Sequence, residues 1–337
     1  MFDSIDITIA TVDCLIAITS IAGNLLVCFV IIKDRDMRTP FNYLLLNLAV
    51  GDIIYPTFFF AYIIYRHSLN NPDAMPGNPM CLSLRKLAWF GAMSSIFTLI
   101  SIARERYCAV VHPLSIQRKL TWRKLKVIIP GTWTLSALLN ILGFVMQSFG
   151  KKVAVKSCNH LWLDAQELKK AYGLTLGIFF AISTQLMIGY YSIVVYTLWI
   201  KPDNQKEIPF HQQGVLKVRK RVTLMVLTVT ALFEVCCISD TVMHVLKDLG
   251  VCSISDDAIS IAHAVIVFNS ALNPFAYALI NKRFREKMKG MLCGRKETSM
   301  LVNIEPLQQT PVSSGTRSRE ELAAEQRNLN NASFKLD

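Results

Sequence analysis

The chain has 337 residues, of which 52% are hydrophobic and 18% charged, and its formal net charge is +12. Soluble domains usually carry about 25% charged residues, so the composition excludes a disordered chain and argues against a soluble enzyme. The basic residues lie between long apolar blocks, a pattern that indicates membrane topology rather than binding to nucleic acid. No CxxC pair occurs among the nine cysteines, so a cysteine-based structural zinc site is not expected.

Seven apolar blocks are each long enough to cross a bilayer, which takes about 20 residues per helix. Backbone polar groups in lipid must form hydrogen bonds within their own segment, so these blocks are predicted to be helices. The predicted spans are residues 12–32, 42–65, 87–111, 127–149, 171–200, 222–246 and 258–281. The sequence therefore predicts an all-α membrane protein built as a seven-helix transmembrane bundle.

Lysine and arginine are distributed unequally between the two sides of this bundle. One side, with the C-terminal tail, holds 27 of the 36 basic residues, and the basic side of a membrane protein faces the cytoplasm. Residues 1–11 are therefore predicted to be a short extracellular N-terminus of a multi-pass plasma-membrane protein. Residues 282–295 are predicted to form an amphipathic cytoplasmic helix. The polar residues 296–337 are predicted to be a disordered cytoplasmic tail.

Ionisable side chains inside the predicted spans are the first functional candidates, because each costs about 2.5–3.5 kcal/mol to insert. Asp52 lies near the middle of the second span and needs polar partners, unless burial keeps its carboxyl group neutral. Arg106 ends the third span, where it could also simply extend to the lipid headgroups. Pro274 bends the seventh span and frees backbone groups for nearby polar side chains.

A ligand pocket is predicted from helical spacing in the half of the bundle assigned to the outside. Asp240, Met243 and His244 share one face of the sixth span, and two further side chains lie one turn apart on the third. Asp240 suits a cationic ligand group, although it could instead bond within the bundle. The predicted pocket consists of Trp89, Met93, Asp240, Met243, His244 and His263.

Together these features resemble the rhodopsin-like (class A) G-protein-coupled receptors over nearly all of residues 19–293. The landmarks occur in the family's order, one or more in almost every span. They are Gly23-Asn24-Leu25-Leu26-Val27, Leu48-Ala49-Val50-Gly51-Asp52, Cys81, Glu105-Arg106-Tyr107, Trp133, Cys158, Tyr191 and Asn273-Pro274-x-x-Tyr277, followed by Arg283-Phe284-Arg285.

The resemblance implies roles for individual residues. Cys81 and Cys158 match the pair that joins the third span to the second outer loop, on the oxidising side of the membrane. Cys293 matches a position that is often palmitoylated, with a free thiol as the alternative. The residues implied in G-protein coupling are Glu105, Arg106, Tyr107, Tyr191, Asn273, Pro274 and Tyr277. The residues implied in an allosteric sodium site, the one cofactor-like ion expected, are Asp52, Ser95, Asn269, Ser270 and Asn273.

The sixth and fifth spans depart from the family pattern. The sixth reads Cys236-Cys237-Ile238-Ser239 where relatives carry Cys-Trp-x-Pro, and Ser183 replaces the proline of the fifth. A serine can bond a backbone carbonyl and bend a helix, but less than proline does. Activation is therefore expected to differ in detail, with high basal activity as one outcome.

The predicted function is that of a receptor, not an enzyme, which binds an extracellular ligand and activates a heterotrimeric G protein. Arrestin, through the Ser/Thr-bearing tail, and membrane lipid are further expected partners. The general look favours a peptide ligand. The alternatives are an amine or chemosensory ligand, or a light-independent opsin relative. Ala88 occupies the third-span position where amine receptors carry Asp, and the seventh span lacks the lysine that holds retinal.

Overall fold

The computed structural model describes residues 4–68, 79–148, 166–200, 210–251, 253 and 256–292. The chain divides into two units, residues 1–294 and 295–337, and all described residues belong to the first. That unit is helical throughout its described length, apart from short turns. Its helices are α1 (Ser4–Lys33), α2 (Pro40–Ser68), α3 (Pro79–Val111), α4 (Trp122–Ser148), α5 (Gln166–Val195), α6 (Phe210–Leu249), α7 (Asp256–Ile280) and α8 (Lys282–Leu292).

Among the described residues, six helices are long and apolar enough to cross a membrane. Their apolar segments are Thr11–Lys33, Pro40–Tyr65, Ser83–Val111, Lys170–Ile200, Leu216–Lys247 and Ile261–Ile280. The predicted fourth span corresponds to α4, which does not meet the same criteria. Its first turns carry Arg123, Lys124 and Lys126, so basic residues precede the apolar block that begins at Val127.

Several helices extend beyond the predicted spans because their polar ends remain helical. The largest difference is in α6, which begins at Phe210, whereas the predicted span begins at residue 222. Helix α3 begins at Pro79, whereas its predicted span begins at residue 87. It therefore contains Arg85 and Lys86, which the sequence placed in a loop. The Lys86 ammonium lies 5.4 Å from the centre of the Tyr172 ring on α5. This cation–π contact, together with burial of the aliphatic stem, lets a lysine remain within the helix.

The helices form a closed ring, in which α3 packs against four others, α2, α4, α5 and α6. Helix α1 packs on α2 and α7, α2 on α3, α3 on α4 and α5, α5 on α6, and α6 on α7. Side chains that face inward form the buried core, whereas large apolar residues such as Leu15, Ile18 and Phe29 stay exposed on the outer face of α1. An apolar surface of this kind suits contact with lipid.

Glycines allow the closest approaches in the bundle. A Cβ atom on Gly91 of α3 would lie 2.9 Å from the Gly51 carbonyl oxygen and 2.9 Å from the Tyr55 backbone nitrogen, both on α2. A Cβ atom on Gly23 of α1 would lie 2.9 Å from the Pro274 ring on α7. The backbones of α2 and α3, and of α1 and α7, are therefore close because these positions lack side chains.

Specific caps end α6 and begin α8. Gly250 has a φ of 70°, and its backbone N–H donates to the carbonyl of Lys247, which closes the last turn of α6. The side chain of Asn281 accepts a hydrogen bond from the backbone N–H of Phe284 and so caps α8. Phe284 then packs against Tyr277 of α7, with ring centroids 5.9 Å apart. These contacts begin α8 directly after the end of α7.

Candidate ligand and signalling sites

A buried carboxylate lies at the centre of the bundle. Asp52 on α2 is 2% exposed. Its Oδ1 accepts a hydrogen bond from Ser95 Oγ on α3 at 3.1 Å, and its Oδ2 accepts one from Asn273 Nδ2 on α7 at 2.6 Å. Ser270 lies within hydrogen-bonding reach of the same carboxylate. Three helices thus meet at Asp52, and the structure brings four of the five predicted sodium-site residues together.

Further polar groups surround this centre. Asn24 on α1 donates to the Ser20 carbonyl at 2.9 Å and to the Ser270 carbonyl at 3.0 Å, which ties α1 to α7. The fifth predicted sodium-site residue, Asn269, is fully buried, and neither of its amide atoms has a hydrogen-bond partner among the described residues. The Oδ1 atoms of Asn24 and Asn273 are also buried without a hydrogen-bond partner among the described residues. These unpaired amide oxygens could ligate a small hard cation beside the carboxylate.

A second buried carboxylate lies where α6 packs against α7. Asp240 on α6 is 2% exposed. Its Oδ1 lies 3.7 Å from Nε2 of His244, one turn further along α6, and 3.5 Å from Nε2 of His263 on α7. The two imidazole nitrogens are 3.2 Å apart. Asp240 therefore does bond within the bundle, through electrostatic contact with two histidines, while its Oδ1 accepts no hydrogen bond from the described residues.

Aromatic side chains line the other side of this cluster. The ring of His263 meets Phe59 edge-on at 5.3 Å between centroids, and Trp89 at 6.2 Å. Tyr55 contacts Trp89 at 6.3 Å. The sequence analysis named Trp89 but missed the two residues from α2. The aromatic residues that recur along α2 between positions 55 and 62 are the signal that could have identified them.

The two predicted pocket methionines are less central to this cluster. Met93 on α3 is 4% exposed and belongs to the buried core of the bundle. Met243 on α6 is half-buried. The structure thus brings Trp89, Asp240, His244 and His263 together, and places Met93 in the packing beneath them.

Arg106 lies near the opposite end of α3 and is 9% exposed. It forms an ion pair with the neighbouring Glu105, and its guanidinium lies 4.0 Å from the centre of the Phe41 ring on α2. Tyr107 contacts His112, with 3.4 Å between its hydroxyl and the imidazole Nε2. Arg106 is therefore held by a neighbour in sequence and by an aromatic face from another helix.

Two other residues implied in coupling, Tyr191 and Tyr277, lie on α5 and α7. The Tyr191 hydroxyl on α5 lies 3.2 Å from Thr230 Oγ1 on α6, so a hydrogen bond links the two helices at this level. Tyr277 is 1% exposed, and its hydroxyl has no hydrogen-bond partner among the described side chains and backbone. Thr230 was not predicted, because a threonine in an apolar helix carries no distinctive pattern.

The serines that replace family prolines bond to their own helices. Ser183 donates to the Phe179 carbonyl at 2.8 Å, and Ser239 donates to the Val235 carbonyl at 2.9 Å. Both bonds connect residues four apart, as expected for serine in a helix. Helices α5 and α6 therefore continue through these positions.

Of the two cysteines in the predicted outer disulfide, one lies within the described residues. Cys81, at the beginning of α3, is engaged in a disulfide bond. Cys158, the predicted partner, lies outside the described residues, as do Cys252, the predicted lipidation site Cys293 and the tail. The five other cysteines within the described ranges are free.

One polar junction was missed by the sequence analysis. Asn47 on α2 donates to Thr98 on α3 at 2.7 Å and to Thr132 on α4 at 3.3 Å. Its carbonyl oxygen accepts a hydrogen bond from the indole of Trp133 at 2.9 Å. Trp133 was recognised as a family landmark, and this junction gives it a structural role that joins three helices.

An ion pair that was not predicted ties α8 to the turn between α1 and α2. Lys287 on α8 lies 2.7 Å from the Asp34 carboxylate, whose side chain is 8% exposed. Burial alone would raise the pKa of Asp34, but hydrogen bonds from Lys287 and from the backbone N–H of Asp36 outweigh it. The pKa of Asp34 therefore lies below its ordinary value.

Comparisons with known proteins agree with this arrangement. Residues 23–277 match the family described as 7 transmembrane receptor (rhodopsin family). A QRFP-like peptide receptor of Branchiostoma floridae is 25% identical over 90% of this chain and 82% of its own. A pyroglutamylated RF-amide peptide receptor of Rattus norvegicus is 25% identical over 85% and 70%. Neuropeptide FF receptor 1 of the same species is 27% identical over 80% and 67%. The chain belongs to the rhodopsin family of seven-transmembrane receptors.

Proposed function

We propose that this protein is a plasma-membrane receptor that binds an extracellular peptide at the Asp240 end of the bundle and activates a heterotrimeric G protein at the Arg106 end. The observation that carries the proposal is the family match over residues 23–277. The two sites lie towards opposite ends of the bundle, as a receptor that passes a signal across a membrane requires. The excess of basic residues on the Arg106 side supports a cytoplasmic location for that end.

The chemistry of the Asp240 end favours a peptide with a cationic group. A buried carboxylate whose Oδ1 accepts no hydrogen bond from the described residues can pair with a guanidinium, whose planar geometry suits it. The aromatic rings of Phe59 and Trp89 offer a surface for an apolar side chain. Relatives named as RF-amide peptide receptors suggest a ligand with adjacent arginine and phenylalanine. We therefore propose an amidated peptide of that composition as the ligand class.

The amine alternative is less well supported by the same geometry. In this chain the third-span position that amine receptors use for a carboxylate is Ala88, which is buried. The carboxylate lies on α6 instead, close to two histidines. A small amine would have to bind beside imidazoles, whereas a longer peptide can place its guanidinium at Asp240 and extend beyond.

The Arg106 end is proposed to contact the G protein. In the resting state Arg106 pairs with Glu105, and the nearby part of α6 carries only basic charges, so no acidic side chain there adds a second restraint. A surface-type ion pair contributes only about 0–1 kcal/mol, and the loss of one such restraint changes a two-state equilibrium several-fold. Measurable signalling without ligand is therefore expected. The basic residues of α6 are Lys217, Arg219, Lys220 and Arg221.

Three further assignments complete the proposal. Sodium is proposed to bind beside Asp52 and to stabilise the resting state, since binding to one state shifts the population toward it. Cys158 is proposed as the disulfide partner of Cys81, and Cys293 as a palmitoylation site beyond α8. Arrestin binding is proposed for the Ser/Thr-bearing tail.

The ligand proposal is tested by a screen of amidated peptides with a second-messenger readout in cells that express the full chain. We expect arginine-containing peptides to signal and their arginine-to-citrulline forms, which lose the charge, to be at least tenfold weaker, as expected for the loss of a hydrogen-bonded charge pair of about 1.5–3 kcal/mol. Asp240→Asn should erase this difference between the paired peptides. If Asp240→Asn prefers the arginine peptide as strongly as the parent does, the assignment is contradicted. Asp256→Asn, at the start of α7, is the control variant and should keep the preference of the parent.

A further inference from the structure

We propose that Asp240, His244 and His263 form a zinc-binding site that bridges α6 and α7. The three residues supply one carboxylate oxygen and two imidazole nitrogens, whose ligand atoms all lie within 4.8 Å of one another. Imidazole and carboxylate groups are common ligands of Zn²⁺. The sequence spacing did not indicate the site, because His263 is 19 residues from His244 and on another helix.

The distances within the cluster match those of a tetrahedral ion. Zinc binds nitrogen and oxygen ligands at about 2.0–2.2 Å, which places two ligand atoms of a tetrahedron about 3.3–3.6 Å apart. Here the two imidazole nitrogens are 3.2 Å apart. The Asp240 oxygen is 3.5 Å from His263 Nε2 and 3.7 Å from His244 Nε2. An ion between the three atoms would need shifts of only a few tenths of an ångström.

The charges and hydrogen bonds of the cluster also favour a cation. Two Nε2 atoms in contact at 3.2 Å need a proton between them, since two imidazole lone pairs facing each other repel. The buried Asp240 Oδ1 accepts no hydrogen bond from the described residues. A zinc ion would replace the shared proton and give all three atoms a common partner, and metal binding to histidine releases protons in this way.

The site has an entry path and an open coordination position. The His244 side chain is 22% exposed, whereas those of His263 and Asp240 are 11% and 3% exposed. An ion can therefore reach the cluster past His244. Three protein ligands leave the fourth zinc position for water or for a group of a bound molecule.

Zinc at this site would join α6 to α7 and so favour the arrangement in which these helices are close together. It would also occupy Asp240, the carboxylate proposed above for a cationic peptide. If that part of the proposed function holds, zinc and the peptide exclude each other. Zinc binding itself does not depend on the ligand of the receptor.

The test uses the purified full-length receptor in lipid nanodiscs, stripped of metal, and a titration of Zn²⁺ against a fluorescent chelator. We expect one saturable site that weakens about tenfold or more in Asp240→Asn, in His244→Ala and in His263→Ala. His112→Ala, which changes a histidine that contacts Tyr107, should bind zinc as the parent does. Zinc should raise the thermal midpoint of the parent and of His112→Ala but not of the three site variants.

Substitution with Co²⁺ separates this site from one built on cysteine. The proposal predicts a cobalt spectrum without the intense sulfur-to-metal band of a thiolate ligand. His263→Gln provides a second variant of similar shape should His263→Ala not fold. The absence of saturable zinc binding, equal affinity in the parent and all three site variants, or a thiolate band would each overturn the proposal.

Discussion

Two aspartates within the membrane-spanning helices, both only 2% exposed, differ in what surrounds them. Both Asp52 oxygens accept hydrogen bonds, from Ser95 and Asn273 on two other helices. Asp240 faces two histidines, and its Oδ1 accepts no hydrogen bond within the described residues. The Asp52 carboxylate therefore links three helices, whereas the Asp240 carboxylate has an oxygen that can still accept a hydrogen bond.

The difference shows that burial of a carboxylate does not by itself define its role. Near Asp52 the helices are held close by Gly51 and Gly91, so hydroxyl and amide donors reach the carboxylate directly. Near Asp240 the neighbours are imidazole and aromatic rings, which offer few donors to a carboxylate but suit a cation. The hydrogen bonds to each carboxylate oxygen thus distinguish an aspartate that links helices from one that is a candidate for binding a ligand.

The largest expected effect is on stability, in a comparison of Asp52→Ala with Asp240→Ala. Asp52→Ala leaves the Ser95 hydroxyl and the Asn273 amide buried without their acceptor, which should cost about 2–4 kcal/mol. Asp240→Ala removes a carboxylate whose Oδ1 accepts no hydrogen bond from the described residues, and it should cost less than about 1 kcal/mol. Thermal unfolding of the purified receptors in detergent measures both. Equal losses would mean that the two sites are equally integrated into the bundle.

A smaller effect is expected from Gly91→Ala, which tests the close approach of α2 and α3 beside Asp52. The added Cβ would lie 2.9 Å from two backbone atoms of α2, so the helices must separate, at a cost of about 1–3 kcal/mol. Gly189→Ala on α5 is the matched control, since its Cβ meets nothing within 4 Å. It should stabilise the helix by about 0.5–1 kcal/mol. Similar unfolding midpoints for the two variants would refute the tight contact.

Sodium sensitivity should distinguish the two aspartates at the level of a several-fold change in agonist affinity. Exchange of Na⁺ for a large organic cation should raise agonist affinity in the parent, because sodium is proposed to stabilise the resting state. Asp52→Asn should abolish the effect, and Asp240→Asn should keep it. The measurement is competition binding of a labelled agonist at equal ionic strength. A sodium effect that survives in Asp52→Asn would exclude that residue as the ion's ligand.

The smallest effect concerns the ion pair between Asp34 and Lys287, at the end of the bundle far from Asp240. The pKa of Asp34 is lowered in the folded state. The ion pair therefore stabilises the folded receptor at any pH above the ordinary pKa of aspartate. This contribution is lost as the pH falls from that value through the lowered pKa. Lys287→Ala should therefore cost about 0–1 kcal/mol at neutral pH and progressively less below about pH 4. Lys289→Ala, an exposed change on the same helix, is the control. A cost that grows on acidification would contradict this assignment.

The fold was largely predictable because long apolar blocks leave little choice but helices. Asp52, Arg106 and Pro274 were singled out because they are ionisable or helix-bending residues within predicted spans, whereas Asn273 was implied by the family resemblance. Their partners were harder to predict. Ser20 donates to the backbone carbonyl of Asp52, and Asn24 donates to the Ser270 carbonyl on α7. Spacing within one helix did not indicate either contact, since each joins two different helices.

Two features could not be predicted for a physical reason. The helix ends depend on local contacts, such as Lys86 with Tyr172, which permit charged residues to remain helical near a membrane surface. The histidine pair at Asp240 depends on the packing of α6 against α7, and helical periodicity within each segment contains no information about how two helices are rotated relative to each other.

Basal nucleotide exchange tests the central claim, that this chain is a receptor which acts on a G protein through Arg106, without requiring its ligand. The parent receptor and Arg106→Ala are placed in nanodiscs with a purified heterotrimeric G protein, and uptake of a fluorescent GTP analogue is followed. The account predicts faster uptake with the parent than with empty nanodiscs, and a return to the empty rate with Arg106→Ala at equal amounts of folded receptor. Equal uptake with the parent and Arg106→Ala, or no acceleration by the parent with any G-protein subtype, would contradict it.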